Sequence, residues 1–394
     1  MPEQVITPRI RGFLCLTAHP EGCAANVRKQ IEYIRGQCPG QGLGRVLVIG
    51  ASTGFGLSSL LTSLFGYGAD AVAIGLEREP SERKPGSAGW YNLTEAKAQA
   101  QAAGRQLQVL NGDAFSQELK DQTIATLKQD FGPVDLVIYS LAAPRRKAGE
   151  TTYSSVLKPI GKGFTGKTID LDKDTVTEAG FEPASDEEIA ATIKVMGGDD
   201  WEVWIEALRA HDLLAAGCRT VAYSYIGPAV TEAIYRSGTI GKAKEHLEAT
   251  AQELDAILHA HCGGHAWVSV NKALVTQASA AIPVVSLYVS ILFKVMKEAG
   301  VHEDCMEQIA RLFTDHIGPG LTPKLDPQGR IRMDDKEMAP TIQKRVAELW
   351  DQVASDNLME LTDYTGFKRA FRQLFGFEVP GIDYQQPTEI IRSW

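Results

Sequence analysis

Tyr225, Tyr235 and Lys244, in the stretch Tyr225-IGPAVTEAI-Tyr235-RSGTIGKA-Lys244, carry the most specific chemistry in the chain. A phenol near a fixed ammonium can act as a proton donor, because positive charge lowers the cost of forming phenolate. At about 100° per residue, the nine steps from Tyr235 to Lys244 turn a continuous helix by about 900° and put the two side chains on opposite faces. They could not cooperate on one unbroken helix. Ser237, Gly238 and Gly241 predict a break, with Tyr235 ending one short helical segment and Lys244 in the opening turns of the next. Lys242, seven residues after Tyr235, competes if the helix is continuous, and spacing alone leaves that choice open. The blander alternative is a pair of core aromatics with satisfied hydroxyls and lysines on a solvated helix face.

A second candidate site lies in GASTGFGL, where Gly50, Gly54 and Gly56 follow the apolar run RVLVI. Backbone amides in such a turn can approach a pyrophosphate closely, and the following helix N-terminus adds partial positive charge. Ser52 and Thr53 add hydroxyl donors. A tight strand-to-helix turn with no ligand is the alternative, but its place after the first strand favours a nucleotide. Glu77, 21 residues after Gly56, sits where an acid can accept hydrogen bonds from an adenosine ribose and repel a 2′-phosphate. That predicts NADH over NADPH, although the adjacent Arg78 could accommodate the extra phosphate. Asp113 and Ala114, then Leu141 and Ala142, end two further strand-like runs, and carboxyl ends of parallel strands face the ligand crevice.

These residues need a scaffold. Residues 45–49, 71–76, 107–110, 135–139, 219–225 and 267–270 are short apolar runs separated by helical stretches. Alternating strands and helices imply right-handed crossovers and a parallel sheet covered on both faces. The expected fold class is α/β, a Rossmann-type doubly wound parallel sheet with N-terminal, insertion and C-terminal additions. A core over 45–317 would carry an extension at 1–44, an insertion at 143–199 and a second extension at 318–394, all packed as one compact body over 1–394.

Composition narrows the function. With 40 basic against 49 acidic residues the net charge is −9, which does not steer the protein toward a polyanion, so nucleic acid is not an expected partner. Six scattered cysteines do not form a secreted disulfide framework. The polar PEQVITPRIR lacks a signal-peptide core, and the apolar Ala281–Phe293 run is shorter than the roughly 20 residues of a spanning helix. A cytoplasmic protein without a membrane partner is expected.

The motifs PRIRGFLCLTAHPEGC, GASTGFGL, GWYN, NGDAF, YSLAAPRR, KVMGGDDW, Tyr225 through Lys244, and LVTQASAAIP together make the chain resemble the monomeric NADH-dependent trans-2-enoyl-ACP/CoA reductases (FabV type), enlarged relatives of the short-chain dehydrogenases. The likeness runs from about residue 7 to about residue 384. It implies reduction of an enoyl thioester, on coenzyme A or acyl-carrier protein, as the last step of fatty-acid elongation. It makes Tyr235 the proton donor, Lys244 the cofactor-binding lysine of a Y-x8-K pair, and Tyr225 a substrate residue. It also marks Gly50, Ala51, Ser52, Thr53, Gly54, Phe55, Leu76, Glu77, Asp113, Ala114, Leu141, Ala142 and Ala273, Leu274, Val275 and Thr276 as NADH contacts. Phe55 stands where tyrosine is common in the family. Hydroxyls of both tyrosines would bond the enolate, Lys244 would keep their field positive, and Thr276 would anchor the carboxamide.

Two smaller expectations follow. The Ala281–Phe293 run would line the acyl pocket or simply be a buried core helix, and Arg145, Arg146, Lys147, Lys158 and Lys162 would receive a phosphopantetheine carrier or form a solvated loop. Among rival functions, a carbonyl reductase would pair its tyrosine with a lysine four residues later, where this chain has Thr239; Ser224 lies 11 before Tyr235. A metal protein would use Cys15, His19 and Cys23, or His259, His261, Cys262 and His265, but Pro20 and Gly22 interrupt the first set and no fourth ligand is evident. A nonenzymatic nucleotide sensor would need only the fold.

Overall fold

Seven runs with little side-chain polarity assemble into one parallel sheet. A computed structural model describes residues 3–280, 282 and 284–394. The strands are β1 (Arg45–Ile49), β2 (Asp70–Gly75), β3 (Leu107–Asn111), β4 (Val134–Tyr139), β5 (Leu214–Ser224), β6 (His265–Val270) and β7 (Ile331–Arg332). Their spatial order is β7-β6-β5-β4-β1-β2-β3. Chain direction across the sheet reverses between β1 and β4, where doubly wound sheets open a ligand crevice. Side chains alternate along β1: Val46 and Val48 join an apolar cluster on one face, Leu47 and Ile49 a cluster on the other. Both faces are thus buried, as a parallel sheet requires.

The sheet differs from the sequence reading at two places. β5 begins at Leu214 rather than 219, pairing Leu214 with Val134 before an irregularity that resumes at Arg219 with Leu136. Tyr225 falls just outside it. The two-residue β7 pairs with Ser269 and Val270, so the sheet draws on residues beyond 317. So short an edge strand has no hydrophobic run to announce it.

The crossovers and additions supply the helices. They are α1 (Pro20–Gln37), α2 (Gly54–Leu61), α3 (Ala88–Ala102), α4 (Gln117–Thr126), α5 (Asp186–Met196), α6 (Asp199–Ala210), α7 (Thr239–Cys262), α8 (Val285–Glu298), α9 (Cys305–Leu312), α10 (Pro340–Gln352) and α11 (Tyr364–Gln373). Residues 143–199 fold as two hairpins, Arg145–Ala148 with Thr151–Ser154 and Phe164–Asp170 with Thr175–Phe181, followed by α5 with its Ser185/Glu188 capping box. Glu3 and Gln4 pair antiparallel with Glu389 and Thr388, which joins the first and last additions to each other. Tyr91 on α3 donates to the Ile390 carbonyl at 2.9 Å, and Trp90 packs on Trp394.

One buried ion pair fixes the crossovers after β3 and before β5. Lys120 of α4 lies 2.8 Å from Asp200 of α6, with side chains 2% and 1% exposed. Asp200 also accepts from Tyr139 at 3.2 Å and faces Arg146 at 3.7 Å. Burial pushes the Asp200 carboxyl up, opposed by Lys120 and Arg146. Removing one partner strands the other's charge in the core, which costs about 3–5 kcal/mol. Asp200→Ala should therefore lower stability by about that amount in urea denaturation, and pairing it with Lys120→Met should recover part of the loss. A single variant as stable as the parent would exclude this role.

Candidate active site

The glycine turn after β1 is shaped by contacts that no side chain could share. Gly50 has φ +85°, and a methyl on it would overlap the Ser140 carbonyl oxygen at the end of β4. A methyl on Gly56 would overlap the Gly50 carbonyl. Gly54, at φ +54°, looks across 3.6 Å of space from its absent Cβ to the Thr276 methyl. The turn, the ends of β1 and β4, and the 273–276 segment therefore surround one crevice. Ala51 and Ser52 are buried, while Thr53, Gly54 and Phe55 are half-buried, with the Phe55 ring tilted on Tyr223 at 5.8 Å. Leu141 and Ala142 follow β4, and Leu141 leans to within 3.1 Å of where a Gly50 Cβ would stand.

The far end of the crevice carries the acid. Glu77 sits just past β2, its backbone N–H donating to Asn111 at 2.8 Å and its carboxylate accepting from Ser87. Gly89 of α3 leaves the carboxylate its space, since a methyl there would overlap it and crowd Ser52. Leu76 beside it is 71% exposed, a large apolar side chain open at the crevice. Asp113 caps its own turn by accepting from Phe115 N–H at 2.9 Å. The Ala114 carbonyl is occupied by Lys120 and Trp204, leaving its N–H as the backbone group that could meet a ligand.

The turn between Tyr225 and Lys244 breaks where the sequence predicts. Residues 232–237 form turns, and α7 starts at Thr239 after Gly238. Gly241 permits the close return of the helix, because a methyl there would overlap the Arg236 carbonyl; its N–H donates to the Tyr235 carbonyl at 2.9 Å. Lys244 is the lysine turned inward, buried with Nζ 3.2 Å from the Tyr223 carbonyl. Lys242 is on the surface, paired with Glu245 at 2.8 Å. Burial pushes the Lys244 ammonium down to about 8, against the pull of Glu248.

Tyr225 and Tyr235 meet edge to face at 4.8 Å between ring centroids. The Tyr235 hydroxyl makes no hydrogen bond among the described residues, whereas Tyr225 lies 3.1 Å from a Glu337 oxygen. Among the described residues, no cation is a leading influence on either phenol. Burial pushes both phenols up, and the charge that adds to this is Glu337 rather than one that lowers them. Tyr235 is thus held as a protonated donor, and Lys244 is directed at the strand carbonyl.

Glu337 and Asn271, which the sequence did not single out, and Ser224, named there only for the carbonyl-reductase alternative, complete the site. Fully buried Glu337 gathers Tyr225, Tyr288 at 2.6 Å and the Ala273 N–H at 2.7 Å. Ser224 Oγ and Asn271 Nδ2, adjacent at the carboxyl ends of β5 and β6, are buried without a partner among the described residues. Two polar side-chain atoms orphaned among the described residues, a glycine turn between strand and helix, and an acid just past β2 together fit a dinucleotide.

Other expectations are revised. Thr276 shares its hydroxyl and N–H with Ser279, so in this state its polar groups brace the following turn instead of standing free for a carboxamide. Ala273, Leu274 and Val275 are buried beneath it. In the Ala281–Phe293 run, positions 281 and 283 lie outside the described residues, while Val285 through Phe293 are buried all along α8, as a core helix. The basic patch does not form as a unit: Arg146 is 8% exposed and bonded to the Lys194 carbonyl, and Lys158 pairs with Glu188, leaving Arg145, Lys147 and Lys162 exposed. His19 caps α1 by accepting from Gly22 N–H, and His265 pairs with Asp255. Among the described residues no three His, Cys, Asp or Glu side chains cluster as metal ligands.

Three family models cover most of the chain: "NAD(P)H binding domain of trans-2-enoyl-CoA reductase" at residues 5–82, "Trans-2-enoyl-CoA reductase catalytic region" at 84–317 and "Enoyl reductase FAD binding domain" at 325–388. The chain belongs to the trans-2-enoyl-CoA reductase family. It is 52% identical to an enoyl-[acyl-carrier-protein] reductase [NADH] of Pseudoalteromonas atlantica, covering 99% of this chain and 100% of that protein. It is 51% identical to a trans-2-enoyl-CoA reductase [NADH] of Ruminiclostridium cellulolyticum, covering 98% of each. The crystal structure of the Treponema denticola trans-2-enoyl-CoA reductase in complex with NAD superposes with a TM-score of 0.94 at 46% identity, covering 99% of each chain.

The flavin named in the third description does not fit here. The glycines of 325–388 (Gly329, Gly366, Gly376 and Gly381) include none at a strand-to-helix turn, and the segment instead supplies edge strand β7, Glu337 and the packing helices of this reductase. The nicotinamide site makes a sharper claim. Gly89→Ala should weaken NADH binding by about tenfold or more in a fluorescence titration, about 1.4 kcal/mol, by driving the Glu77 carboxylate from its place. Unchanged affinity would detach Glu77 from the ribose.

Proposed function

We infer that the protein reduces the trans-2 double bond of enoyl thioesters, using NADH, as the last step of the fatty-acid elongation cycle. The observation that carries this reading is the hydroxyl of buried Tyr235, without a hydrogen-bond partner among the described residues, edge-on to Tyr225, at the same sheet end as the glycine turn. NADH held there supplies the hydride that adds to C3 of the thioester. The residues of the chain do the rest. Gly50 through Phe55 and the N-terminus of α2 bind diphosphate, Glu77 the adenosine ribose, and Lys244 the nicotinamide ribose. Leu76, Asp113 and Ala114 border the adenine side, while Leu141, Ala142 and 273–276 border the nicotinamide side.

As hydride arrives, charge develops on the thioester oxygen. The Tyr235 hydroxyl donates to that oxygen, with Tyr225 beside it, and the enolate then takes at C2 a proton supplied through Tyr235, which regains its own from water. A preorganised donor of this kind lowers the barrier by roughly 2.7–4 kcal/mol, because it needs no reorganisation when charge appears. The relatives' names span both coenzyme A and carrier-protein thioesters, and the proposal takes in either carrier. Action as a cytoplasmic monomer belongs to the same proposal. No helix among the described residues is long and apolar enough to cross a membrane.

NADH oxidation followed with crotonyl-CoA against acetoacetyl-CoA tests the reaction, and turnover of the ketone alone would overturn it. Tyr235→Phe should lower kcat by about 10²–10³-fold while NADH still binds. Lys244 adds a pH dependence. Its ammonium, lowered to about 8, is charged below that pH and neutral above it, so NADH affinity should fall as pH rises from 7 to 9. Lys244→Met should bind weakly throughout with that slope removed; a wild-type slope in this variant would assign the titration elsewhere.

A further inference from the structure

Glu337 occupies the centre of the tyrosine cluster, yet it arrives from the loop between β7 and α10, far from any recognisable motif. Oε1 faces the hydroxyls of Tyr288 at 2.6 Å and Tyr225 at 3.1 Å, and Oε2 accepts from the Ala273 N–H at 2.7 Å. Gln343 braces this arrangement, donating to the Tyr288 oxygen at 3.1 Å and to the Glu337 carbonyl at 2.8 Å. One carboxyl group thereby joins the substrate-side tyrosines to the segment that starts the nicotinamide wall.

A phenol has a single proton, so the direction of the Glu337–Tyr225 bond determines what Tyr225 can do. Against an ionised carboxylate, Tyr225 spends that proton on Glu337 and presents only lone pairs elsewhere. Against the neutral acid, Glu337 donates, and the Tyr225 proton is free. Tyr288, whose oxygen takes Gln343, donates to Oε1 in both cases. The groups facing the carboxyl are Tyr225 and Tyr235 from the loop after β5, Lys272 after β6, Tyr288 on α8 and Asp334 after β7. The cation among them, Lys272, directs its Nζ to the Ala273 carbonyl at 2.9 Å, and Asp334 is paired with Arg332 at 2.7 Å. Burial pushes Glu337 up, toward the acid.

We propose that Glu337 is a positioning residue for thioester reduction: as the neutral acid it donates to the Tyr225 oxygen and so turns the Tyr225 proton toward the substrate. This rests on the enoyl thioester reading above. It makes Tyr225 a second donor to the thioester oxygen without any change in the position of its ring.

The test compares Glu337→Ala, Glu337→Gln, Tyr225→Phe and the Tyr225→Phe/Glu337→Ala double variant. Readouts are kcat and KM for crotonyl-CoA at saturating NADH from pH 6 to 9, and NADH Kd by fluorescence. Saturating NADH keeps the Lys244 titration out of kcat. Glu337→Ala should lower kcat by about tenfold or more with NADH Kd within about threefold of the parent, as expected for a lost buried hydrogen bond. The double variant should be no slower than the slower single variant, because both act through one hydroxyl. Glu337→Gln keeps an acceptor for Ala273 and an N–H donor for Tyr225 at every pH, while removing the acceptor for Tyr288. Its kcat should exceed that of Glu337→Ala, and it should lack any pH dependence that ionisation of Glu337 gives the parent. Parent-like kcat in Glu337→Ala, multiplying effects in the double variant, or Glu337→Gln no faster than Glu337→Ala would each overturn the proposal. Should Glu337→Ala fail to fold, Tyr225→Phe/Glu337→Gln against Tyr225→Phe decides: a further large loss of kcat in that double variant overturns the proposal. Parent enzyme that turns over no crotonyl-CoA overturns the thioester reading and this proposal with it.

Discussion

Two glycines set where α7 begins, and the chemistry depends on that starting point. A methyl on Gly238 would lie 2.6 Å from the Ile234 carbonyl and 2.7 Å from that of Lys158, and one on Gly241 would overlap the Arg236 carbonyl. Backbone packs on backbone there, which only glycine allows. The helix starts after Tyr235, so tyrosine and lysine lie on separate elements, with Lys244 turned to the Tyr223 carbonyl. The hairpin insertion supports the turn from outside: Thr239 N–H donates to the Lys158 carbonyl at 3.0 Å, and Lys158 N–H returns to the Thr239 hydroxyl at 3.2 Å. An insertion expected to pack as an addition on the sheet thereby braces the turn that carries Tyr235.

Burial then decides how the ionisable groups behave. Tyr225, Tyr235 and Glu337 are all driven toward protonated forms, while Lys244 and Lys272 are each driven down to about 8. Desolvation outweighs the charge–charge terms in each case. A site of neutral donors suits a reaction whose charge appears late, on the substrate oxygen, because fixed neutral dipoles stabilise that charge without opposing the binding of an uncharged enoyl group.

Much of this was legible in local sequence. The six apolar runs, the glycine turn, the acid after β2 and the break between Tyr235 and Lys244 all depend on neighbours close in the chain. What stayed hidden depends on long-range contacts. Glu337 stands in RMDDKEM, which reads as a solvated charged loop until the fold buries it beneath Tyr288 and Ala273. The dissolution of the basic patch has a local cause that went unread: on a hairpin, side chains alternate, so Arg146 points inward while Arg145 and Lys147 point outward. The surroundings of Tyr235 could not be read from spacing at all, because they are set first by burial in the fold and then by a carboxyl group about a hundred residues downstream.

The pairing of the first and last strands reaches further than joining two extensions. Residues 388–394 hold α3 through Tyr91 and Trp90, and the same helix places Gly89 against Glu77 and lets Asn92 donate to the Ser52 carbonyl at 3.0 Å. The Glu77 end of the crevice is therefore wedged from behind by the tail. On the proposed role of Glu77 at the ribose, loosening that wedge would shift the acid before it disturbed the tyrosines, so coenzyme discrimination would be the property most exposed to drift in the tail.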